Sequence, residues 1–422
     1  MTTDSSFVVS SPGKVIIFGE HSAVYAIAAA VSLRTYLLVS PSSDAEDIVL
    51  EFPDINLTHT WKRSSLPWEA ISKFINQDQP QTTEELIPEV VNELANTLSD
   101  MKQAIHFAAA NSFLYLYVNL LKRDTPGMRF TVRSTLPIGA GLGSSASISV
   151  CLASAFSIVG GHVSAATLTK DDLSTEGEDS EFIDAWSFMG EKCIHGNPSG
   201  IDNAVATHGG AVMFQRTQSS IPSIRTNMRN FPSLKLLLTN TKQPRRTSDL
   251  VGNVSRLSTE YPKTTESILN AMDHLTREGY QLMIRPSLDE KDKARLRELF
   301  EINHGLLVAL GVSHPVLEKV RILTDELNIG KTKLTGAGGG GCAITLVNDN
   351  VEESLIKSLI EKYSEYGFET YETSLGGKGA AYLALTQQDS VEFNSEKFLE
   401  LTEREEIENA IGVSCKDGWR FW

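Results

Sequence analysis

Apolar and polar positions alternate from residue 7 and then give way to a solid apolar run, Val15-Ile16-Ile17-Phe18. This pattern predicts a buried strand, interrupted at Pro12-Gly13. Residues 27–39 predict a second buried segment that ends in a β-rich stretch. Between about 62 and 103 the chain turns polar and rich in Glu and Gln, with a helix predicted over 84–98, and the stretch reads as a peripheral insertion or lid. An apolar helix is predicted over 107–121, and Arg129-Phe-Thr-Val-Arg-Ser-Thr135 alternates as an exposed strand does. Residues 171–179 read as an acidic loop, followed by an amphipathic helix over 182–195 that stops at Gly196-Asn-Pro-Ser-Gly200.

Leu234-Lys-Leu-Leu-Leu-Thr239 predicts a strand that opens a second half. Helices follow over 247–260, 262–284, 292–311 and 317–327, then a strand–glycine–strand segment at 332–347, a helix over 352–365 and a strand near 367–373. Strands and helices are mixed rather than strictly alternating, which favours an α+β fold over a doubly wound parallel sheet. The expected organisation is an N-terminal domain over 1–230, a C-terminal domain over 231–385 and a tail over 386–422.

A chain of 422 residues, 41% of them hydrophobic, exceeds what one core usually serves, which agrees with two domains. The formal net charge of −15 speaks against nucleic acid or an anionic membrane surface as a partner, while leaving room for a local basic pocket. Met1-Thr-Thr-Asp-Ser-Ser-Phe7 has neither the basic start nor the apolar core of a secretory signal. No apolar run is long enough to span a bilayer. The four cysteines, Cys151, Cys193, Cys342 and Cys415, are scattered, and a reducing cytosolic setting is expected.

Candidate chemistry begins at Leu136-Pro-Ile-Gly-Ala-Gly-Leu-Gly-Ser-Ser-Ala-Ser147, with glycines at every second position before a small, apolar helix. A glycine loop feeding a helix N-terminus gathers free N–H groups and the positive end of the helix dipole, which suits a phosphate; Ser144 or Ser145 is expected to cap the helix. A plain turn before a core helix fits the same letters. No lysine follows Gly143, so this is not a Walker A loop. Gly336-Ala-Gly-Gly-Gly-Gly341 spells a dinucleotide fingerprint but precedes a strand-like segment, so a dinucleotide role is not expected. Phosphoryl transfer also asks for carboxylates and a cation. Glu191 near a helix end and Asp202 after the Asn-Pro-Ser-Gly turn are candidates, as are Lys14, Glu20 and His21; taken singly, such residues are more often ordinary surface, capping or structural groups.

Taken together, Ser11-Pro-Gly-Lys-Val-Ile-Ile-Phe-Gly-Glu-His-Ser-Ala-Val-Tyr25, Leu136–Ser147 and Lys333-Leu-Thr-Gly-Ala-Gly-Gly-Gly-Gly-Cys342 resemble the three motifs of the galactokinase, homoserine kinase, mevalonate kinase and phosphomevalonate kinase (GHMP) superfamily. Gly190-Glu-Lys-Cys-Ile-His-Gly-Asn-Pro-Ser-Gly-Ile-Asp-Asn-Ala-Val-Ala206 and Thr239-Asn-Thr-Lys-Gln-Pro-Arg-Arg-Thr247 resemble its mevalonate kinases, in a fungal form. The resemblance runs from about residue 7 to about 385. A galactokinase would carry an Asp-Tyr pair where this chain has Ser-Ala-Val-Tyr25.

The resemblance implies an N-terminal domain like the second domain of ribosomal protein S5, packed on a ferredoxin-like C-terminal domain with the site between them. It places ATP on Gly139, Ala140, Gly141, Leu142, Gly143, Ser144, Ser145 and Ala146, with Gly338 and Gly339 supporting the triphosphate. It gives Mg2+ to Ser145 and Glu191, and mevalonate to Glu20, His21, Arg245 and Thr247. Asp202 becomes the base at the C5 hydroxyl, and Lys14 the cation beside it. A primary alcohol ionises far above neutral pH, so a base and a neighbouring cation are what its attack on ATP requires. A homodimer, a cytoplasmic location and inhibition by prenyl diphosphates are further implications.

Two other readings have their own expectations. A phosphomevalonate kinase should carry extra basic residues near Glu20 or Asp202, which are not found. An inert ligand-binding relative should have lost Asp202, Lys14, Ser145 or Glu191, all of which are present. The chain departs from the family pattern after Tyr25, where a turn of about three residues is missing, and distortion of the strand pair beside Glu20 and His21 is expected.

Overall fold

The computed structural model describes residues 6–422 except 22–23, 173–176, 218–223, 229–230, 232, 245, 286, 387–388 and 390–392. Phe7–Phe18 (β1) and Tyr25–Pro41 (β2) form an antiparallel pair. Pro12-Gly13 does not break β1 as expected; the register shifts between Pro12 and Lys14 instead, because proline cannot donate a ladder hydrogen bond and the strand bulges past it. The pairing holds to Phe18↔Ile27 despite the short connection, with a second irregularity between Ile16 and Phe18. His21, in that connection, has left-handed backbone (φ 58°).

Asp47–Phe52 (β3) and Leu57–Lys62 (β4) form a hairpin beside Met128–Ser134 (β5), which pairs with β2 in turn. β5 is not exposed, contrary to its alternation. It is covered on both faces because its polar side chains find partners inside: Thr131 Oγ1 donates to Glu51 (2.8 Å) and Arg133 to Asp54 (3.0 Å). The 62–103 stretch lies at the periphery, mostly exposed, but it is pinned to the core by a few apolar side chains. Trp68–Ile71 (α1) and Pro88–Thr97 (α2) lay Ile71, Val90 and Leu94, fully buried, against Ala104–Leu120 (α3). The Glu/Gln-rich composition of this stretch hides an amphipathic period that decides its burial. At the centre of this core Phe130 meets Phe113 and Phe156 edge-on, at 5.3 and 5.2 Å, each pair adding about 0.5–1.5 kcal/mol beyond its buried area.

The remaining helices of this half are Ser144–Val159 (α4), Glu178–His195 (α5) and Ile201–His208 (α6). Ala211–Gln215 (β6) pairs with β2, and Ile224–Met228 (β7) with β6. In the second half, Leu234–Asn240 (β8) is followed by Thr247–Glu260 (α7), Pro262–Met283 (α8), Glu290–Ala309 (α9) and Pro315–Glu326 (α10). Gly330–Leu334 (β9) and Cys342–Val347 (β10) are the arms of an antiparallel hairpin, then come Glu353–Glu365 (α11), Glu369–Leu375 (β11) and Ala381–Ala384 (β12). The helices predicted for this half agree with those observed within a few residues.

One connected sheet runs through both halves, because β2 carries β1, β5 and β6 along its length and touches β11 at Val31↔Leu375. A core cluster containing Val15, Phe18, Leu142, Leu236 and Phe300 packs across the same junction. The aromatic tail packs on the body: Arg420–Phe421 adds an antiparallel edge strand to β12, and Trp419 and Phe421 are 4% and 3% exposed beside Tyr36 and Leu383. Among the described residues no helix is long and apolar enough to cross a membrane.

Candidate active site

The glycine loop owes its path to left-handed backbone at Gly139, Gly141 and Gly143 (φ 73°, 80° and 72°), where any other residue is strained. Gly143 occupies the N-cap position of α4, and no side chain caps that end. The cap expected of Ser144 or Ser145 is therefore absent. The N–H groups of the first turn have no intrahelical partners and carry the positive end of the helix dipole. Ser145 turns its hydroxyl elsewhere, donating to Glu191 Oε1 (2.8 Å) across from α5. This contact separates Ser145 from Ser144, which the letters alone leave equivalent.

Glu191 is 3% exposed, and its Oε2 is buried without a hydrogen-bond partner. Burial, with the Asp202 charge second, pushes its carboxyl up to about 7. A buried carboxylate oxygen with nothing to bond, beside a hydroxyl and a second carboxylate, is a hard-oxygen donor set of the kind Mg2+ takes. Asp202 stands in the first turn of α6, and its Oδ2 is 3.2 Å from Lys14 Nζ. Lys14 also donates to the Gly141 carbonyl (3.4 Å), so β1, the glycine loop and α6 meet at one ammonium group. A Cβ on Gly143 would lie 3.0 Å from Lys14 Cγ and 3.6 Å from Asp202 Oδ2, so only glycine leaves this space open.

These groups face a cavity of about 710 Å3. Lys14, Gly139, Gly141, Leu142, Gly143, Ser144, Ser145, Glu191, Asp202 and Thr247 all line it, as do Gly336 and Ala337 of the third motif. Apolar side chains, among them Leu50, Phe52, Ile105, Phe113 and Ile138, also line it. Ala140 and Ala146 are buried behind the loop. Gly338 and Gly339 do not reach the cavity wall: Gly338 backs onto the Val312 carbonyl, and Gly339 donates to it and abuts Leu250. Arg245 lies outside the described residues.

Glu20 is the main departure from expectation. It is 2% exposed and does not line the cavity. Its carboxylate pairs with Lys333, which is wholly buried, and its Oε2 accepts from Asn303 Nδ2 (3.0 Å). His21 bonds instead to the cavity edge, its Nε2–H donating to the Ala337 carbonyl (2.9 Å). One residue at the site was passed over by sequence reasoning. His195 Nε2 is 3.1 Å from Ser145 Oγ; since the Ser145 hydrogen goes to Glu191, the imidazole is the donor. Its position four residues after Glu191, on the same helix face, was the available signal.

The fold and the glycine-loop site are those of a GHMP kinase. The model of the GHMP kinases N terminal domain matches residues 105–210, and that of the GHMP kinases C terminal domain matches 284–365. The chain is 55% identical to a mevalonate kinase of Candida albicans over 99% of both chains, and 36% identical to that of Homo sapiens over 91% of this chain and 96% of the other. The chain belongs to the mevalonate kinase family. Its fold is shared by a solved L. major mevalonate kinase in complex with R-mevalonate, at TM-score 0.61 and 21% identity, covering 88% of this chain and 96% of that one.

Proposed function

We propose that this chain transfers the γ-phosphoryl group of ATP to the C5 hydroxyl of (R)-mevalonate, in the pathway to isoprenoids and sterols. The observation that carries the reading is the Lys14–Asp202 contact at 3.2 Å, in the same cavity as the Ser145–Glu191 pair. The uncapped first turn of α4 receives the anionic phosphates, and the glycines bring the backbone close to them. Asp202 accepts the hydroxyl proton or holds it in line, and Lys14 lowers the barrier by facing the charge that develops on the oxygens in flight. Ser145 and Glu191 would hold Mg2+, which supplies charge neutralisation between the phosphates when bound. His195 holds Ser145 in place by donating to its hydroxyl. The apolar lining excludes water from the transferring group.

ADP release from MgATP with mevalonate, and separately with phosphomevalonate, tests the assignment. Turnover on mevalonate alone is expected, and Asp202→Asn lowers it at least about a hundredfold, the scale of a lost general base. Turnover on phosphomevalonate instead would replace the reading. A cytosolic homodimer, with prenyl diphosphates competing against ATP, completes the proposal. Farnesyl diphosphate is expected to raise the apparent KM for ATP, and sedimentation reports the dimer.

A further inference from the structure

Lys333 in strand β9 and Thr335 just past its end both reach the first motif. Thr335 clasps Ile16 twice: its Oγ1 donates to the Ile16 carbonyl (2.9 Å) and accepts from the Ile16 N–H (3.2 Å). Lys333 reaches the Glu20 carboxylate, and two residues beyond Thr335 the Ala337 carbonyl takes the His21 Nε2–H. Residues 16, 20 and 21 are thus buttoned to 335, 333 and 337, joining segments more than 300 positions apart. Helix α9 completes the enclosure. Asn303 donates to the second Glu20 oxygen, Phe300 presents its ring 5.9 Å from Lys333 Nζ, and His304 Nδ1 accepts from the Leu334 N–H.

A fully buried ion pair is a poor way to gain stability, since taking two charges out of water costs about as much as their attraction returns. The residue beside Glu20, His21, is held in left-handed backbone with its imidazole at the cavity edge (φ 58°). The carboxylate that anchors this turn has no other cation near it among the contacts described.

We propose that Lys333 is a positioning residue for the acceptor side of the site: through Glu20 it fixes the turn that carries His21 and holds the third glycine motif against the first. The inference rests on the kinase reading above and assigns Glu20 a structural rather than a substrate contact. It predicts that losing the pair loosens mevalonate binding and leaves the nucleotide side, built on α4, in place.

The test compares wild type with Glu20→Gln, Lys333→Met and the double variant, recording Tm, kcat and KM for each substrate. Each single change strands a buried charge or its partner and lowers Tm; the double change removes both charges and recovers most of that loss. The double variant is nonetheless expected to keep a KM for mevalonate raised about tenfold or more, with the KM for ATP within about twofold of wild type. A double variant with recovered Tm and wild-type KM for mevalonate overturns the inference. Asn303→Ser removes one Glu20 partner without touching a charge and serves if the pair variants do not fold. A KM for mevalonate raised severalfold in it supports the inference, and an unchanged value overturns it. A wild-type protein inactive on mevalonate sinks the kinase reading itself, whereas active wild type with unaltered variants sinks only the role of Lys333.

Discussion

Glu191 has one oxygen on Ser145 and the other buried with no partner, and this half-satisfied carboxyl has a pH signature. Its folded value of about 7 lies above the ordinary 4.5. Stability from such a group is complete below the unfolded value and is lost as pH rises through the folded one. With divalent ions chelated, wild-type stability is therefore expected to fall between about pH 5 and 8 by on the order of 3 kcal/mol more than that of Glu191→Gln. Parallel pH profiles of Tm for the two proteins would count against this. Asp202 and Lys14 stand out in the sequence because each lies in a recognisable short motif, although only the fold brings the two to 3.2 Å of each other. Glu20 sits in an equally clear motif, yet its partner is Lys333, 313 positions away, and nothing local announces a buried pairing.

At the level of elements, the glycine loop separates two needs that look alike in the letters. Gly139 and Gly143 both have left-handed backbone, but a Cβ on Gly139 meets nothing within 4 Å while one on Gly143 presses on Lys14. Either substitution to alanine carries the strain of a non-glycine residue in that conformation, roughly 1 kcal/mol. Gly143→Ala additionally displaces Lys14 from Asp202, and is expected to lower kcat at least about tenfold where Gly139→Ala leaves it within about threefold. Equal losses in the two variants would show that the close approach at Gly143 is immaterial. Helix positions in the second half were readable because their apolar stripes recur at the helical period. β5 was misread as exposed, since alternation reports polar side chains and not whether Glu51 and Asp54 wait to receive them.

For the whole molecule, the tail belongs to the body. Trp419 donates its Nε1–H to the Ile411 carbonyl (3.0 Å) and packs 6.1 Å from the Tyr36 ring on β2. Trp419→Ala leaves a large cavity under the terminal strand and is expected to destabilise the protein by about 3–5 kcal/mol. The KM values should stay near wild type, because none of the tail residues lines the cavity. A variant that melts like wild type would mean that the tail is only draped on the surface.

The α+β class, most element positions and the three glycine-bearing motifs can be read from the letters alone, because period, turn chemistry and motif spacing are properties of neighbouring residues. Only the folded chain shows that Ser145 rather than Ser144 meets Glu191, that Glu20 turns inward to Lys333, and that Ile71, Val90 and Leu94 of the polar stretch and Trp419 and Phe421 of the tail are buried. Each of these outcomes depends on which distant segment supplies a partner for a buried charge or an apolar face. Long-range packing sets that choice, and the local pattern does not encode it.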